Sequence, residues 1–177
     1  PYHTFHLRDG VKVQAKDLVV GNTLAAHSFP VINSGTEDPQ AYTKGFYSGD
    51  GSVNHSQIWL YGDKTNLIDN LDVKTVSDQT VGATKRLLVC LNSGEWNKEY
   101  VPSVETSVSS RLDWLAGLFD SDGSVLKDGS VQVWSINKSF LINVQKLLNT
   151  LGTTGKVVLG KAATTKLMPD GNGGKKE

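Results

Sequence analysis

The stretch Leu115-Ala116-Gly117-Leu118-Phe119-Asp120-Ser121-Asp122-Gly123 decides how this chain is read. Residues 111–121 have helical spacing, and Leu112, Leu115, Leu118 and Phe119 share a broad apolar face. Gly117 and Ser121 stand one helical turn apart, so the same helix also carries a stripe without bulk. Gly123 suits a left-handed helix end.

Comparing this stretch with the rest of the chain exposes a repeat. Asp50-Gly51-Ser52-Val53 recurs as Asp122-Gly123-Ser124-Val125, and Gln57-Ile58-Trp59 answers Gln132-Val133-Trp134. Further on, Lys64-Thr65-Asn66-Leu67-Ile68-Asp69 answers Lys138-Ser139-Phe140-Leu141-Ile142-Asn143. Three matches in one order, at offsets of 72 to 75 residues, point to duplication. Asp128-Gly129-Ser130-Val131 is a third copy of the tetrapeptide, placed where a hairpin turn is expected. Asp-Gly is a general turn signal, so the ordered series carries the argument. Each repeat reads as helix, strand pair, helix. The first helices span about 39–49 and 111–121, with Pro39 at a start and Gly51 at a left-handed end. Strands are expected at 57–61, 85–91 and 130–136. Amphipathic helices follow near 64–71 and 138–151, the second ended by Gly152, with loops at 92–94 and 170–176. The second repeat is expected to stop early, after 156–160 and 166–168. The fold class is mixed α and β (α+β).

Small residues recur at one register: Gly45 and Gly49 in the first copy, Gly117 and Ser121 in the second. A helical Gly costs about 1 kcal/mol relative to Ala. Keeping that weakness in both copies points to a helix–helix seam, because contact side chains set how closely two helices pack. A pseudo-two-fold seam brings Asp50 and Asp122 to the same end, at helix C-termini, where the dipole disfavours an anion by about 0.3–1 kcal/mol. Two neighbouring carboxylates also repel. A divalent cation removes both penalties. Mg²⁺ or Mn²⁺ takes one or two carboxylates plus phosphate and water oxygens, which makes phosphodiester hydrolysis the natural chemistry. The plain alternative makes both aspartates helix-end turn residues. A calcium loop at Asp120-Ser121-Asp122-Gly123 fails on spacing, since Gly123 is fourth and Val131 twelfth.

The quoted stretch closely resembles the nine-residue LAGLIDADG signature, departing at Phe119 and Ser121. Thr43-Lys44-Gly45-Phe46-Tyr47-Ser48-Gly49-Asp50-Gly51 resembles a degenerate first copy. This resemblance covers the chain from about Asp38 onward and implies a homing endonuclease: an αββαββα half repeated about the signature helices, with saddle-shaped sheets in the DNA major groove. It implies that Asp50 and Asp122, the penultimate acids, hold the catalytic metal. Ser48 replaces the sixth-position acid of the first signature, which is not the metal ligand. A second resemblance joins Pro1-Tyr2-His3-Thr4-Phe5 and residues 9–24 to the middle of an intein splicing (Hint) domain. It implies that His3 assists the amide-to-ester rearrangement at the upstream splice junction; the alternative is an ordinary surface His. His6, His27 and His55 have no comparable context. Without a leading Cys or Ser nucleophile and a terminal His-Asn, the chain as given is not expected to splice. The domains read as a partial Hint domain at 1–36, repeat 1 at 37–108 and an incomplete repeat 2 at 109–177.

Composition fits a globular core, with 38% hydrophobic residues. Equal counts of 18 basic and 18 acidic residues argue against a simple polybasic DNA binder, though a metal nuclease carries carboxylates that offset its lysines. The single Cys90 lies in an apolar run and reads as a buried structural thiol. No membrane span or secretory signal is legible, so an intracellular setting is expected, in the cytoplasm of a host or phage-infected cell. Alternation puts Gln57, Trp59 and Tyr61 on one strand face, with Gln132 and Trp134 at equivalent positions. Gln57 and Gln132 are candidate adenine readers, while the tryptophans can equally be core. Lys44, Lys85, Lys127, Lys138 and Lys156 are candidate phosphate contacts or plain solvated charges.

The leading expectation is a pseudo-dimeric monomer cutting double-stranded DNA at a specific site, embedded in a splicing element within a host extein protein. Its rivals are a non-catalytic, maturase-like nucleic-acid binder and a splicing element whose nuclease has decayed.

Overall fold

The computed structural model describes residues 2–53 and 55–160, with the backbone of Met168–Pro169 and Lys175–Lys176. The chain opens with a hairpin of β1 (Thr4–His6) and β2 (Lys12–Gln14), turned at Gly10 with φ 87°. No described residue from 2 to 40 is buried, so this segment builds no core of its own. It is held by backbone bonds from Ile32 N–H to the Thr150 carbonyl (2.9 Å) and from Thr36 N–H to the Glu105 carbonyl (2.9 Å).

Helix α1 (Ala41–Asp50) leads into β3 (Gln57–Tyr61), β4 (Val73–Asp78) and β5 (Arg86–Leu91), an antiparallel sheet in the order β3-β5-β4. Helix α2 (Val108–Asp122) leads into the hairpin β6 (Gly123–Val125) and β7 (Val131–Val133), then α3 (Lys138–Thr150). Side-chain caps fix two helix starts: Ser107 Oγ accepts from Ser110 N–H at 3.1 Å, and Asn137 Oδ1 accepts from Phe140 N–H at 3.1 Å. Two cores flank the central helices. Phe46 and Tyr47 pack on Ile58, Leu60, Val89 and Leu91 of the sheet. Trp114, Leu115 and Leu118 pack on Phe140, Val144 and Leu147 of α3.

Several expectations are corrected. Gly51 and Gly123 are not left-handed: their φ values are −64° and −78°. They are glycine because a Cβ would run into the carbonyl four residues back, on Tyr47 and Phe119. Gly152 does take the left-handed turn, with φ 77°. The α-helix expected near 64–71 is a 3-10 helix, Gly62–Asn70; Thr65 Oγ1 donates to the Gly62 carbonyl at 2.8 Å and favours the tighter winding. The strand expected at 130–136 shrinks to Val131–Val133, paired only with β6, which leaves Trp134 and Ile136 exposed. Leu112 points to solvent, 52% exposed, and Trp114 holds the core position. Cys90 is half-buried on the sheet face away from α1, not fully buried. Lys175–Lys176, expected as loop, forms β9 and pairs with β8 (Met168–Pro169). The remaining readings at 166–167 and 170–174, and Pro1, lie outside the described residues.

Candidate functional site

Helices α1 and α2 run parallel along a stripe of small residues. A Cβ on Gly45 would overlap the Trp114 carbonyl oxygen, and a Cβ on Gly117 would overlap the Tyr42 carbonyl oxygen. The two contacts exchange under a shift of 72 residues, which carries 45 to 117 and 42 to 114. A Cβ on Gly49 would overlap the Ser121 side chain. The four small residues expected at the seam all lie in it.

The seam ends where Asp50 and Asp122 end their helices. Two ammonium groups sit on this end, as the exposed carbonyls of paired C-termini favour. Lys64 Nζ donates to Asp50 Oδ2 and to the Ser121 carbonyl oxygen, each at 2.5 Å. Lys98 Nζ donates to the Gly49 carbonyl oxygen at 2.5 Å. Partial burial raises the Asp122 carboxyl above its ordinary value; the Asp50 carboxylate adds to the rise, and Lys64 and Lys98 pull against it. Ser48, Lys98, Glu99, Asp122, Trp134 and Asn137 line a shallow cleft beside the seam.

Among the described residues no three His, Cys, Asp or Glu side chains gather into a metal cage. A hard cation that keeps its waters needs no such cage. The donors here are two carboxylates, of Asp50 and Asp122, and the terminal carbonyls of Gly49 and Ser121. All are oxygens, and that donor set fits Mg²⁺ or Mn²⁺.

Sequence reasoning did not place Lys64 or Lys98 in the site. Lys64 was legible only as a repeat marker opposite Lys138. Lys98 sits in an irregular segment with no periodicity, and only tertiary folding brings it to Gly49.

The strand alternation holds. Ile58 and Leu60 are fully buried, while Gln57, Trp59 and Tyr61 face outward. The Trp59 and Tyr61 rings stack at 6.2 Å, Arg86 lies over Trp59 at 5.0 Å, and Gln57 Nε2 donates to Cys90 Sγ at 3.6 Å. On the second hairpin, Gln132 Nε2 donates to Ser124 Oγ at 3.1 Å, and Trp134 is 60% exposed. Lys85, Lys127, Lys138 and Lys156 are exposed. Lys44 is not free for phosphate: Asp38 holds its ammonium at 2.7 Å. His3 is exposed beside β1, its carbonyl accepting from Ala15 N–H at 2.7 Å.

Residues 109–167 match a LAGLIDADG-like domain. The chain also resembles longer proteins. It is 36% identical over 173 residues to the ribonucleoside-diphosphate reductase large subunit of Invertebrate iridescent virus 6, covering 93% of this chain and 18% of that protein. It is 24% identical over 220 residues to the ribonucleoside-diphosphate reductase NrdEB subunit alpha of Bacillus subtilis (strain 168), covering 99% of this chain and 20% of that protein. The same figures hold for its namesake in Bacillus phage SPbeta. The chain therefore spans about a fifth of the length of these relatives. Among the described residues no helix is long and apolar enough to cross a membrane.

Proposed function

We propose that this chain is the nuclease part of an intein, a duplicated LAGLIDADG unit that cuts double-stranded DNA with a divalent metal at the seam of α1 and α2. The reciprocal packing of Gly45 and Gly117 carries this reading, because it sets two acidic helix ends side by side. The matching LAGLIDADG-like domain over 109–167 supports the second half directly, and the 72-residue exchange at the seam supports the first.

Asp50 and Asp122 would hold Mg²⁺ or Mn²⁺, with the Gly49 and Ser121 carbonyls nearby. When bound, the metal supplies Lewis-acid polarisation of a phosphate and a more acidic water. Lys98 adds positive charge beside the same point, where a phosphodiester gathers negative charge during cleavage. The outer face of β3-β5-β4, with Gln57, Trp59, Tyr61 and Arg86, offers hydrogen-bonding and stacking groups to a major groove. Gln132, Lys127 and Lys156 belong to the second half of that surface. In this reading the monomer is a pseudo-dimer.

The host would be a ribonucleoside-diphosphate reductase, the name carried by the aligned relatives. Residues 1–36 would be part of a Hint splicing domain with His3 as its assisting histidine; the lack of buried residues among 2–36 fits a segment that needs a partner to form a core. A nucleic-acid binder without cleavage is favoured by one observation, the ammonium of Lys64 already seated on Asp50.

Cleavage of a randomised DNA library with Mg²⁺, against the same reaction in chelator, separates the two. Metal-dependent double-strand cuts at one site are expected. An Asp122→Asn variant that cuts as well as the parent would refute the metal assignment.

A further inference from the structure

The two halves of the seam end are not equivalent. Lys64 and Lys138 match in the repeat: Lys64 lies in the first turn of the 3-10 helix that follows β3, and Lys138 opens α3 after the β6–β7 hairpin. Lys64 bridges Asp50 Oδ2 and the Ser121 carbonyl. Lys138 is exposed and makes no ion pair or hydrogen bond among the described residues. Asp50 is thus already paired with a cation that also satisfies a helix-end carbonyl. Asp122 accepts no side-chain hydrogen bond among the described residues and borders the open cleft.

Resting on the metal-centre reading above, we propose that Lys64 is a built-in counter-cation that plugs the Asp50 side. The centre then takes divalent metal first and more tightly through Asp122, and metal reaches Asp50 only when Lys64 leaves. The argument is one of competition. An ammonium bonded to a carboxylate and a carbonyl must surrender two charge-assisted hydrogen bonds before a metal ion can use those oxygens. On the Asp50 side the metal must displace an ammonium from the carboxylate itself, whereas on the Asp122 side ammonium groups hold only the neighbouring carbonyls, of Gly49 and Ser121, and the carboxylate stays open. Lys98 does not plug Asp122, since its bond goes to the Gly49 carbonyl. A pseudo-symmetric frame thereby acquires two unequal metal positions.

The test is Mn²⁺ binding to the full chain, read by loss of the free-ion magnetic resonance signal, with no DNA present. The parent is expected to show one tight and one weak ion. Asp122→Asn should remove the tight ion, and Asp50→Asn should leave it in place. Lys64→Met should tighten the weak ion about tenfold, the scale of losing a charge-assisted competitor. The double variant Lys64→Met with Asp50→Asn should cancel that gain. Lys64→Arg, which keeps the charge, should behave like the parent, and a thermal melt of each variant confirms that it folds. Two equal ions in the parent, unchanged by Lys64→Met, would overturn the proposal and leave the nuclease reading standing. No Mn²⁺ bound by any folded variant, either alone or after duplex DNA is added, would overturn the metal centre itself.

Discussion

Gly45 lies against the Trp114 carbonyl and Gly117 against the Tyr42 carbonyl, so each helix of the seam presses its bare backbone on the other. Neither neighbour is a flexible side chain that can swing aside. An added methyl must push the helix axes apart, and the Asp50 and Asp122 ends with them. Gly117→Ala and Gly45→Ala are each expected to destabilise the fold by about 2–3 kcal/mol, the upper range for overpacking a tight contact. Urea unfolding measures this. Gly10→Ala, in an open turn with φ 87°, should cost only about 1 kcal/mol. Equal and small losses at all three positions would deny the seam its close packing.

Arg111 is fully buried, and among the described residues its hydrogen-bond partners are all neutral oxygens. Nε donates to the Thr106 carbonyl at 3.0 Å, Nη1 to Thr150 Oγ1 at 2.6 Å, and Nη2 to the Ile32 carbonyl. One guanidinium thus ties the N-terminal strap and the end of α3 to the start of α2, and its charge meets the negative end of the α3 dipole. Arg111→Met is expected to cost about 3 kcal/mol or more, because it strands buried carbonyls. Arg111→Lys should recover only part, since a point charge lacks the planar fork. Hydrogen exchange at the Ile32 amide, bonded to the Thr150 carbonyl at 2.9 Å, should quicken most in both variants.

These two residues also show what a single sequence gives away. The glycines were legible because they recur at one register, and a helix with an unexplained bare stripe implies a close neighbour. Ile58 and Leu60 were legible from alternation. Arg111 was silent: a charged residue in a helical pattern reads as solvent-facing, and only the fold brings Ile32 and Thr150 to it. Lys98 was silent because it lies in an irregular segment that only the fold brings to Gly49. The strands β1, β2 and β6 escaped because each has only three residues, and β4 because its six residues alternate weakly, so pairing partners rather than local preference define them. The tight conformations at Gly51 and Gly123 were misread because glycine answers two different demands, positive φ and lack of room, and sequence does not separate them.

Tyr42 on α1 donates its hydroxyl to Asp120 Oδ2 on α2 at 2.8 Å. Burial, then the hydrogen bond and the charge of Asp120, push the phenol up to about 12. A folded-state value above the unfolded one means that the bond's contribution is complete below pH 10 and disappears as pH rises towards 12. Stability measured across that interval should therefore fall in the parent and fall less in Tyr42→Phe. Absorbance titration of the phenolates should show tyrosines ionising late, because burial raises Tyr47 as well, and the Tyr42 share of that late component should be lost in the variant. A parent whose stability is flat across this interval would remove the cross-seam bond from the account.

Arg86 carries the most informative charge on the outer sheet face. Its guanidinium lies over the Trp59 ring at 5.0 Å, and its Nε donates to the Gln79 carbonyl at 3.1 Å, so it is held in place before any ligand arrives. A pre-ordered cation on a strand face contributes to DNA affinity without a fresh cost in side-chain freedom. If this face meets a phosphate backbone, Arg86→Ala should weaken binding to a cleavable duplex while leaving the fold's melting point within about a degree, since surface changes rarely exceed about 0.5 kcal/mol. The slope of log affinity against log salt should become shallower by about 0.9, the share of one neutralised phosphate. Gln57→Ala should behave differently, altering which bases are preferred without changing that slope. An unchanged slope for Arg86→Ala would place the DNA on another surface, and the sheet would then be a support for α1 alone.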